Sequence, residues 1–238
     1  GERIVLKAIA TQASRGHITA AAARRYRGDV LRTVAMIRGL PASRKVPLEN
    51  QLAQAAAIAP KLTAPRALAV FGQLAANDEW FARHGPPSLH TDITDADGVV
   101  YRYFTVKGFE FPPLANFAAL NAAVAAKDTA GASRLATALA DRGVPAAGGG
   151  VGWEYYFNYA GGRAPWLSGF AQAVAAQAFA RVAALVPDSG SRYHTEARLA
   201  YRSIPGRLDR ATAFGTWIRL YGFSRAVASG PVRPPTMT

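Results

Sequence analysis

Apolar residues recur at helical spacing through the first third of the chain. The pattern predicts one helix over about 17–39 and a second over about 48–59, which Pro60 closes. A third helix opens at Thr63, which, like Thr19 before it, offers a hydroxyl that can cap the free amide groups of a helix start. We therefore expect this part of the chain to be a set of packed helices.

The hydrophobic period changes in the middle of the chain. Residues 90–104 alternate between two faces around a turn at 95–98, which predicts a β-hairpin. Helical spacing returns over 114–126 and again over 129–142. A short sheet between two groups of helices is expected here.

The most unusual segment is aromatic and is expected to be extended, over 152–159. It leads into a long helix after Trp166 that is apolar on nearly every side, which is typical of an interior helix. A charged, amphipathic helix follows over 191–203, and 214–223 is expected to be another short extended piece. Alternating buried and exposed helices predict concentric helix layers, so we expect a mainly α fold with a small β-hairpin.

Glycine and proline at 85–87 mark a change of texture along the chain. We therefore divide the sequence into an N-terminal helical region (1–85), a second region (86–228) and a flexible tail rich in proline and threonine (229–238).

Two expectations concern membranes and location. The most apolar stretch, 166–186, is interrupted by polar residues and dominated by alanine, so no membrane span is predicted. Because the chain begins with glycine, we expect a leader to have been removed, which favours a secreted or cell-surface protein over a cytoplasmic one.

The 28 lysine and arginine residues outnumber the 15 acidic ones, which gives a net charge of +13 over 238 residues. An isoelectric point near 10.6 is typical of nucleic-acid-binding domains. Lysine is scarce, however, and the arginines are spread along an alanine-rich chain, which favours a generally basic surface over a dedicated nucleic-acid face. An anionic polysaccharide suits the same charge, and nucleic acid is the weaker alternative partner.

Several classes of protein are excluded by what the sequence lacks. Half of the residues are hydrophobic, which excludes a disordered protein, and no cysteine is present, which excludes disulfides, thiolate metal sites and a cysteine nucleophile. The chain contains no G-x-x-x-x-G-K-[ST] phosphate loop and no G-x-S-x-G nucleophile elbow. Its four histidines lack the spacing of a helical zinc pair. We predict no metal and no cofactor.

Aromatic residues cluster in two short segments that also carry arginine. A sugar ring needs flat aromatic faces for its C–H surface and planar polar groups for its hydroxyls, and a uronic acid also needs a cation for its carboxylate. Trp153 and Tyr159 are expected to line a cleft, with Tyr155 and Phe157 in the core; the alternative is that all these aromatics close the ends of a helical core. The other candidate substrate-binding residues in these segments are Arg163, Trp166, Gln172, Arg219 and Arg225.

Two stretches of the chain, WEYYFNY at 153–159 and APWLSGFAQ at 164–172, resemble the signature of the D-glucuronyl C5-epimerase C-terminal domain family. The segments 111–117 and 215–221 are similar to the family's preceding inner-helix entry and to its active-site tyrosine segment, so the resemblance covers about 100–225. It implies an incomplete (α/α) toroid around a groove for an acidic polysaccharide, without a nicotinamide cofactor. The chain resembles a bacterial, shortened member without the final helices of a closed toroid.

The resemblance also implies roles for individual residues. Family enzymes remove the proton at C5 of a glucuronate and return one on the opposite face, which needs two acid–base groups. Tyr221 occupies the position of one family tyrosine, and its phenol needs a nearby cation that lowers its pKa from about 10. Leu220 stands where the family carries an acidic residue, which leaves Tyr156 and Glu154 as candidate replacements. Asn116, in the inner-helix entry, completes the substrate-binding set.

Three functions stay open. The first is proton abstraction from a uronic acid in an anionic polysaccharide, a step that an epimerase shares with a lyase. The second is a non-catalytic glycan-binding or assembly module without the acid–base pair. The third is nucleic-acid binding through the arginine surface, for which the sequence has no groove-reading motif. A homo-oligomer is one way in which the missing helices could be supplied.

Overall fold

The computed structural model describes residues 1–186, 190–213 and 215–223. In these ranges the protein is mainly helical, with eight α-helices and several small antiparallel sheets. The predicted mainly α fold with a small β-hairpin is confirmed. Arg225 and the predicted tail over 229–238 lie outside the described residues.

Four helices form the N-terminal part. They are α1 (Glu2–Ser14), α2 (Ala20–Gly39), α3 (Ala42–Ile58) and α4 (Ala64–Arg83), with a 3₁₀ turn at Ala59–Lys61 between the last two. The Thr19 hydroxyl accepts a hydrogen bond from the Ala22 amide (3.1 Å), so its predicted role as the N-cap of α2 is confirmed. Thr63 stands at the N-cap of α4, but its side chain makes no capping hydrogen bond.

Two N-terminal elements differ from the sequence prediction. Helix α1 is absent from the sequence prediction; in the structure it buries Val5 and Ile9. Helix α3 begins at Ala42, well before the predicted start, and Pro47 lies in its second turn. A proline so near the helix start removes one backbone hydrogen bond without ending the helix.

The second set of helices is α5 (Pro113–Ala125), α6 (Thr129–Ala140), α7 (Gly169–Leu185) and α8 (Gly190–Arg202). Helix α7 packs against both α5 and α8 and buries Phe179 and Val182, which confirms the predicted interior helix. The Ser168 hydroxyl accepts a hydrogen bond from the Ala171 amide (3.2 Å) and caps its start. Helix α8 is amphipathic and covers α7, as the sequence predicts.

Short strands connect the helices, and every strand pair is antiparallel. The strands are β1 (Asp92–Thr94), β2 (Val100–Phe104), β3 (Gly108–Glu110), β4 (Val144–Ala146), β5 (Gly150–Gly152), β6 (Glu154–Tyr155), β7 (Trp166–Leu167), β8 (Asp209–Thr212) and β9 (Gly215–Ile218), with a 3₁₀ turn at Ala147–Gly149. The β1–β2 pair confirms the predicted hairpin, and β3 adds a third strand that the alternation does not predict.

Side-chain amides fasten the three-stranded sheet to both sets of helices. The Asn77 amide of α4 accepts a hydrogen bond from the Phe109 N–H (2.8 Å) and donates one to the Phe109 carbonyl (2.7 Å). The Asn116 amide of α5 does the same for the N–H and carbonyl of Val100 (2.8 and 2.9 Å). Each amide thus satisfies strand groups that would otherwise be buried without a partner.

One apolar cluster runs through both sets of helices. It contains Phe71 of α4, Phe117 of α5 and Phe179 of α7, so the core is continuous across residue 85. The proposed division of the chain at that residue stays a prediction. In the part of the chain that the structure describes, every helix falls short of the length and apolar character that a membrane crossing requires.

Candidate functional site

The aromatic segment forms a short antiparallel strand pair that carries two stacked rings. Tyr155 of β6 lies directly opposite Trp166 of β7, and their ring centroids are 4.2 Å apart with the planes within 6° of parallel. Directly paired residues share one face of a sheet, which is why the ladder brings these rings together. The Trp166 indole also donates a hydrogen bond to the Phe157 carbonyl (2.8 Å). The ladder and this bond hold the tryptophan in one orientation.

Further rings extend this pair to the surface. Tyr159 is 41% exposed, and its ring centroid lies 6.3 Å from that of Trp166 and 5.5 Å from that of Tyr221. The rings of Tyr221 and Phe223 are nearly parallel, at 5.5 Å and 8°. We call this set the aromatic patch; it comprises Tyr155, Phe157, Tyr159, Trp166, Tyr221 and Phe223.

The structure therefore brings together three of the predicted site residues, Tyr159, Trp166 and Tyr221, although the last two lie 55 positions apart in the chain. Tyr155 and Phe157 are buried beneath them, which confirms their expected place in the core. The patch has a buried base and an exposed edge formed by Tyr159.

The sequence analysis does not predict one member of the patch, Phe223, or the ring of Phe104 that packs against the patch from β2. Phe223 follows Tyr221 at a spacing of two, the period that places side chains on one face of extended chain, and this spacing is the signal that could have found it. A side chain at Gly162 would collide with the Phe223 ring, so glycine is required there. Phe104 of β2 packs its ring 5.1 Å from that of Phe157, a contact between distant segments that only the fold creates.

Three cations of the described residues, Arg163, Lys107 and Arg219, differ in how they are placed relative to the patch. Tyr159 and Gly162 exchange backbone hydrogen bonds (3.1 and 2.7 Å) in a tight turn, and Arg163, which follows directly, is exposed. The Lys107 ammonium lies 5.9 Å from the centroid of the Phe157 ring. Arg219 uses its guanidinium to donate a hydrogen bond to the Arg207 carbonyl (3.1 Å).

The pKa of the Tyr221 phenol is raised, which is unfavourable for a group that must act as a base near pH 7. Burial raises its pKa, and a hydrogen bond with Tyr159 raises it further. Burial likewise raises the pKa of Tyr155 to about 12. Within the described residues, the cation that the resemblance requires to lower the pKa of Tyr221 is therefore not found at work: the phenol is neutral near pH 7 and serves as a hydrogen-bonding ring rather than as a phenolate.

The candidate replacements Glu154 and Tyr156 point away from the patch. Side chains alternate along a strand, so Tyr155 faces the patch while its two neighbours face the opposite side. The buried Glu154 carboxylate accepts two hydrogen bonds from the Arg66 guanidinium, from Nε (2.8 Å) and from Nη2 (2.9 Å). The Tyr156 hydroxyl is buried, and burial raises the pKa of this phenol well above its ordinary value, with the negative charge of Glu154 acting in the same direction. Neither group is brought to Tyr221, so the predicted catalytic set is not assembled.

Three predicted substrate contacts are structural. Trp153 is fully buried, with its ring 4.9 Å from that of Phe117 and its indole donating to the Leu139 carbonyl (2.6 Å), so the expectation that it lines a cleft is wrong. Gln172 is also fully buried and binds the N–H and the carbonyl of Trp153 (3.0 and 3.2 Å). Asn116 clamps β2 as described above and is not accessible to a substrate. Polar amides inside apolar helices are the signal of such internal partners.

The described ranges contain no group of three or more histidine, aspartate or glutamate side chains that could hold a metal ion. Comparisons of the chain with protein-family models, with curated proteins and with solved structures found no match.

Proposed function

We propose that this protein is a glycan-binding module that recognises an acidic polysaccharide at the aromatic patch, without epimerase or lyase chemistry there. The observation that carries this proposal is the exposed ring of Tyr159, set against the rings of Trp166 and Tyr221. An aromatic face of this kind can stack on the apolar C–H side of a sugar ring, and the hydroxyls of the two tyrosines can bind sugar hydroxyls.

The charge around the patch favours an acidic rather than a neutral glycan. Arg163 is exposed and has no ion-pair partner among the described residues, and Lys107 lies at the rim of the patch. An exposed guanidinium can form a bidentate pair with the carboxylate of a uronic acid. The net charge of +13 adds a general attraction for a polyanion.

Binding is favoured over proton abstraction because the acid–base groups are displaced. Removal of a C5 proton needs a base and a second acid on opposite faces of one sugar. The raised pKa of Tyr221 makes it a poor base, and the Glu154 carboxylate is turned inward against Arg66. Epimerisation, which the sequence resemblance implies, is therefore the second candidate function.

The proposal extends to the architecture and the setting. In an incomplete (α/α) toroid, α5 and α7 would be inner helices and α6 and α8 outer ones, which agrees with the packing of α7 against both α5 and α8. A second copy of the chain is one source of further helices. Acidic polysaccharides of this kind occur outside cells and on their surfaces, and the proposal extends to that setting.

Titration with hyaluronan, a soluble glucuronate-containing polymer, tests the proposal. We expect saturable binding that weakens as salt rises, with little binding of neutral dextran. Tyr159→Ala should weaken hyaluronan binding about tenfold, which corresponds to about 1.4 kcal/mol. Tyr201→Ala is the matched control, because Tyr201 is a 63% exposed tyrosine on α8. Equal effects of the two substitutions, or no binding to any uronate polymer, would contradict the proposal.

Incubation of the same polymer with the protein in deuterated water tests the second candidate function. We expect no deuterium at C5 and no unsaturated product. Deuterium at C5 would replace binding by epimerisation, and a C4–C5 double bond would replace it by elimination. In either case Tyr221→Phe would show whether this phenol takes part.

A further inference from the structure

A cavity of about 1000 Å³ opens between α2, α4, the β1–β2 hairpin and α6. Its volume is at the upper end of the range of ordinary small-molecule sites. None of the residues of the aromatic patch lines it, so it is a separate feature of the molecule.

The floor of the cavity is a phenol fitted against helix α4. The buried Tyr101 hydroxyl donates a hydrogen bond to Oδ2 of Asp95 (3.1 Å), and burial raises the pKa of this phenol far above its ordinary value, so it stays neutral. A Cβ atom at Gly72 would lie 2.5 Å from the Tyr101 hydroxyl oxygen. Glycine inside a helix costs about 1 kcal/mol relative to alanine, and here it makes room for the phenol.

The Asp95 carboxylate accepts its hydrogen bonds from groups of the β1–β2 hairpin rather than from a nearby cation. Its Oδ1 accepts hydrogen bonds from the N–H groups of Asp97 (3.0 Å) and Val99 (2.9 Å), and its Oδ2 accepts the bond from Tyr101. The Nη2 atom of Arg142 is 3.9 Å from Oδ2, which is too long for a hydrogen bond.

Arg142 therefore lines the cavity as an incompletely neutralised charge. Its side chain is only 8% exposed, and its Nη1 donates to the Ala138 carbonyl (2.7 Å) at the end of α6. Its Nε is buried and has no hydrogen-bond partner among the residues that the structure describes. A buried guanidinium is stable when carboxylates or other acceptors satisfy its donors, and here part of that demand is unmet.

Five carboxylates and four arginines line the cavity, and the lining keeps one more arginine than carboxylates once two acids that are paired elsewhere are set aside. Two of its acids, Asp29 and Asp141, pair with arginines outside the cavity, at 3.7 and 3.3 Å. Two of its arginines, Arg83 and Arg134, are exposed and have no ion-pair partner within the described residues. The surplus attracts an anion of low charge.

We propose that this cavity binds a small hydroxylated carboxylate, with its carboxylate held by Arg142 and its hydroxyls bound by Glu79 and Asp97 at the rim. A planar guanidinium matches the two oxygens of a carboxylate. Glu79 and Asp97 have no ion-pair partner among the described residues; they accept hydrogen bonds from hydroxyls and repel a dianion such as phosphate.

Calorimetric titration with sodium gluconate tests this site, with sorbitol as the matched neutral polyol and inorganic phosphate as the competing oxyanion. We expect one gluconate per chain, at least tenfold weaker binding of sorbitol, and weaker binding of phosphate. Equal binding of gluconate and sorbitol would overturn the role of Arg142, and tighter binding of phosphate would overturn the carboxylate class. Absence of saturable gluconate binding would overturn the site itself.

Two substitutions locate the binding. Arg142→Lys keeps the positive charge but removes the planar guanidinium that binds both carboxylate oxygens, and it should weaken gluconate binding about tenfold. Because Arg142 is buried, Arg134→Glu at the exposed rim is a second variant that leaves the core intact, and it should weaken binding at least threefold. Arg198→Glu, an exposed charge reversal on α8, is the control and should have no such effect. If Arg134→Glu and Arg198→Glu behave alike, gluconate binds elsewhere.

This inference and the proposed function fail separately. Tyr159→Ala should weaken hyaluronan binding and leave gluconate binding unchanged, whereas Arg134→Glu should do the opposite. A common loss in both titrations would show that gluconate occupies the aromatic patch, and would overturn the assignment of the cavity.

Discussion

The aromatic patch and the cavity at Arg142 are built in opposite ways. The patch takes most of its rings from one stretch, 155–166, folded on itself by the β6–β7 pair, with two more rings from 221–223. The cavity takes its polar groups from α2, α4, the β1–β2 hairpin and α6. A site made of neighbouring residues leaves a visible mark in the sequence, whereas a site assembled from several elements does not.

The two regions also differ in how their buried charges are neutralised. Beside the patch, the Glu154 carboxylate has both oxygens bound by Arg66, at 2.8 and 2.9 Å. In the cavity, Nη2 of Arg142 is 3.9 Å from the nearest carboxylate oxygen of Asp95, and its buried Nε has no acceptor in the described part of the chain. A hydrogen-bonded ion pair stabilises the fold. A longer pair without a hydrogen bond leaves a charged donor that the carboxylate of a ligand can bind. The following predictions test this contrast.

Trp166→Ala should have the largest effect on stability. It removes the ring that stacks on Tyr155 and the indole bond to the Phe157 carbonyl, and truncation of a buried tryptophan costs about 4 kcal/mol. Urea denaturation measures the loss, and Tyr201→Ala on α8 is the exposed aromatic control. Gluconate binding should persist below the unfolding transition, and its loss in the folded variant would show that the two regions are coupled.

Arg66→Ala should cost about 3 kcal/mol, because it leaves the buried Glu154 carboxylate without its counterion. Arg102→Ala is the matched control. Arg102 forms an equally short ion pair with Asp92 (2.7 Å), but both of these side chains are more than a third exposed. Removal of such a pair should cost less than about 1 kcal/mol. Similar losses in the two variants would mean that burial does not separate these ion pairs.

The hydrogen-bonded contact between Thr33 of α2 and Asp78 of α4 should make the free energy of unfolding depend on pH. The Thr33 hydroxyl lies 2.9 Å from both oxygens of the buried Asp78 carboxyl, and burial raises the pKa of Asp78 to about 7. Because this pKa is higher in the folded than in the unfolded chain, the stabilisation is complete below about pH 4 and is lost as pH rises through 7. We expect a loss of up to about 4 kcal/mol between pH 4 and pH 8, because the rise of about three pKa units corresponds to about 1.4 kcal/mol per unit.

Asp78→Asn isolates that effect. The amide oxygen can accept a hydrogen bond from the Thr33 hydroxyl as the carboxyl does, and the amide stays neutral at every pH, so the variant should match the wild type near pH 4 and exceed its unfolding free energy at pH 8. Burial raises the pKa of Glu110 to about 8, so some dependence of the same sign should remain in the variant. A difference that does not grow with pH would contradict the assignment to Asp78.

Gly72→Ala should have the smallest effect and the most local one. The new methyl group would press on the Tyr101 hydroxyl, and overpacking outweighs the better helix propensity of alanine by about 1 kcal/mol. Gly28→Ala in α2 is the control, because nothing lies within 4 Å of its Cβ position, and it should stabilise by about 0.5–1 kcal/mol. Gluconate binding should weaken only in Gly72→Ala; stabilisation by both substitutions would show that Tyr101 is free to move.

Much of the fold follows from local patterns. The cap at Thr19, the hairpin between β1 and β2 and the interior helix α7 all rest on chemistry within a few residues, and all are confirmed. Helix α1 and strand β3 escape prediction because their burial depends on partners elsewhere in the chain, such as α3 and α4. Local spacing carries no record of such partners.

The candidate site divides along the same line. The aromatic patch is predictable because Tyr155, Tyr159 and Trp166 are close in sequence. The places of Trp153 and Gln172 are not, because an aromatic ring and an amide suit a cleft as well as a core until the neighbouring helices are known. The direction of Glu154 depends on the strand register, which a shift of one residue would reverse.

The sequence by itself determined that this protein is mainly helical, lacks cysteine chemistry, carries a strong positive charge and concentrates aromatic residues in one extended segment. Those properties depend on composition and on contacts between near neighbours. Only the tertiary structure decided which rings reach the surface. It also decided that Arg66 forms a close ion pair with Glu154, whereas Arg142 lies 3.9 Å from Asp95 and lines a cavity. Burial and charge pairing depend on distances between residues far apart in the chain, and those distances arise only when the helices pack.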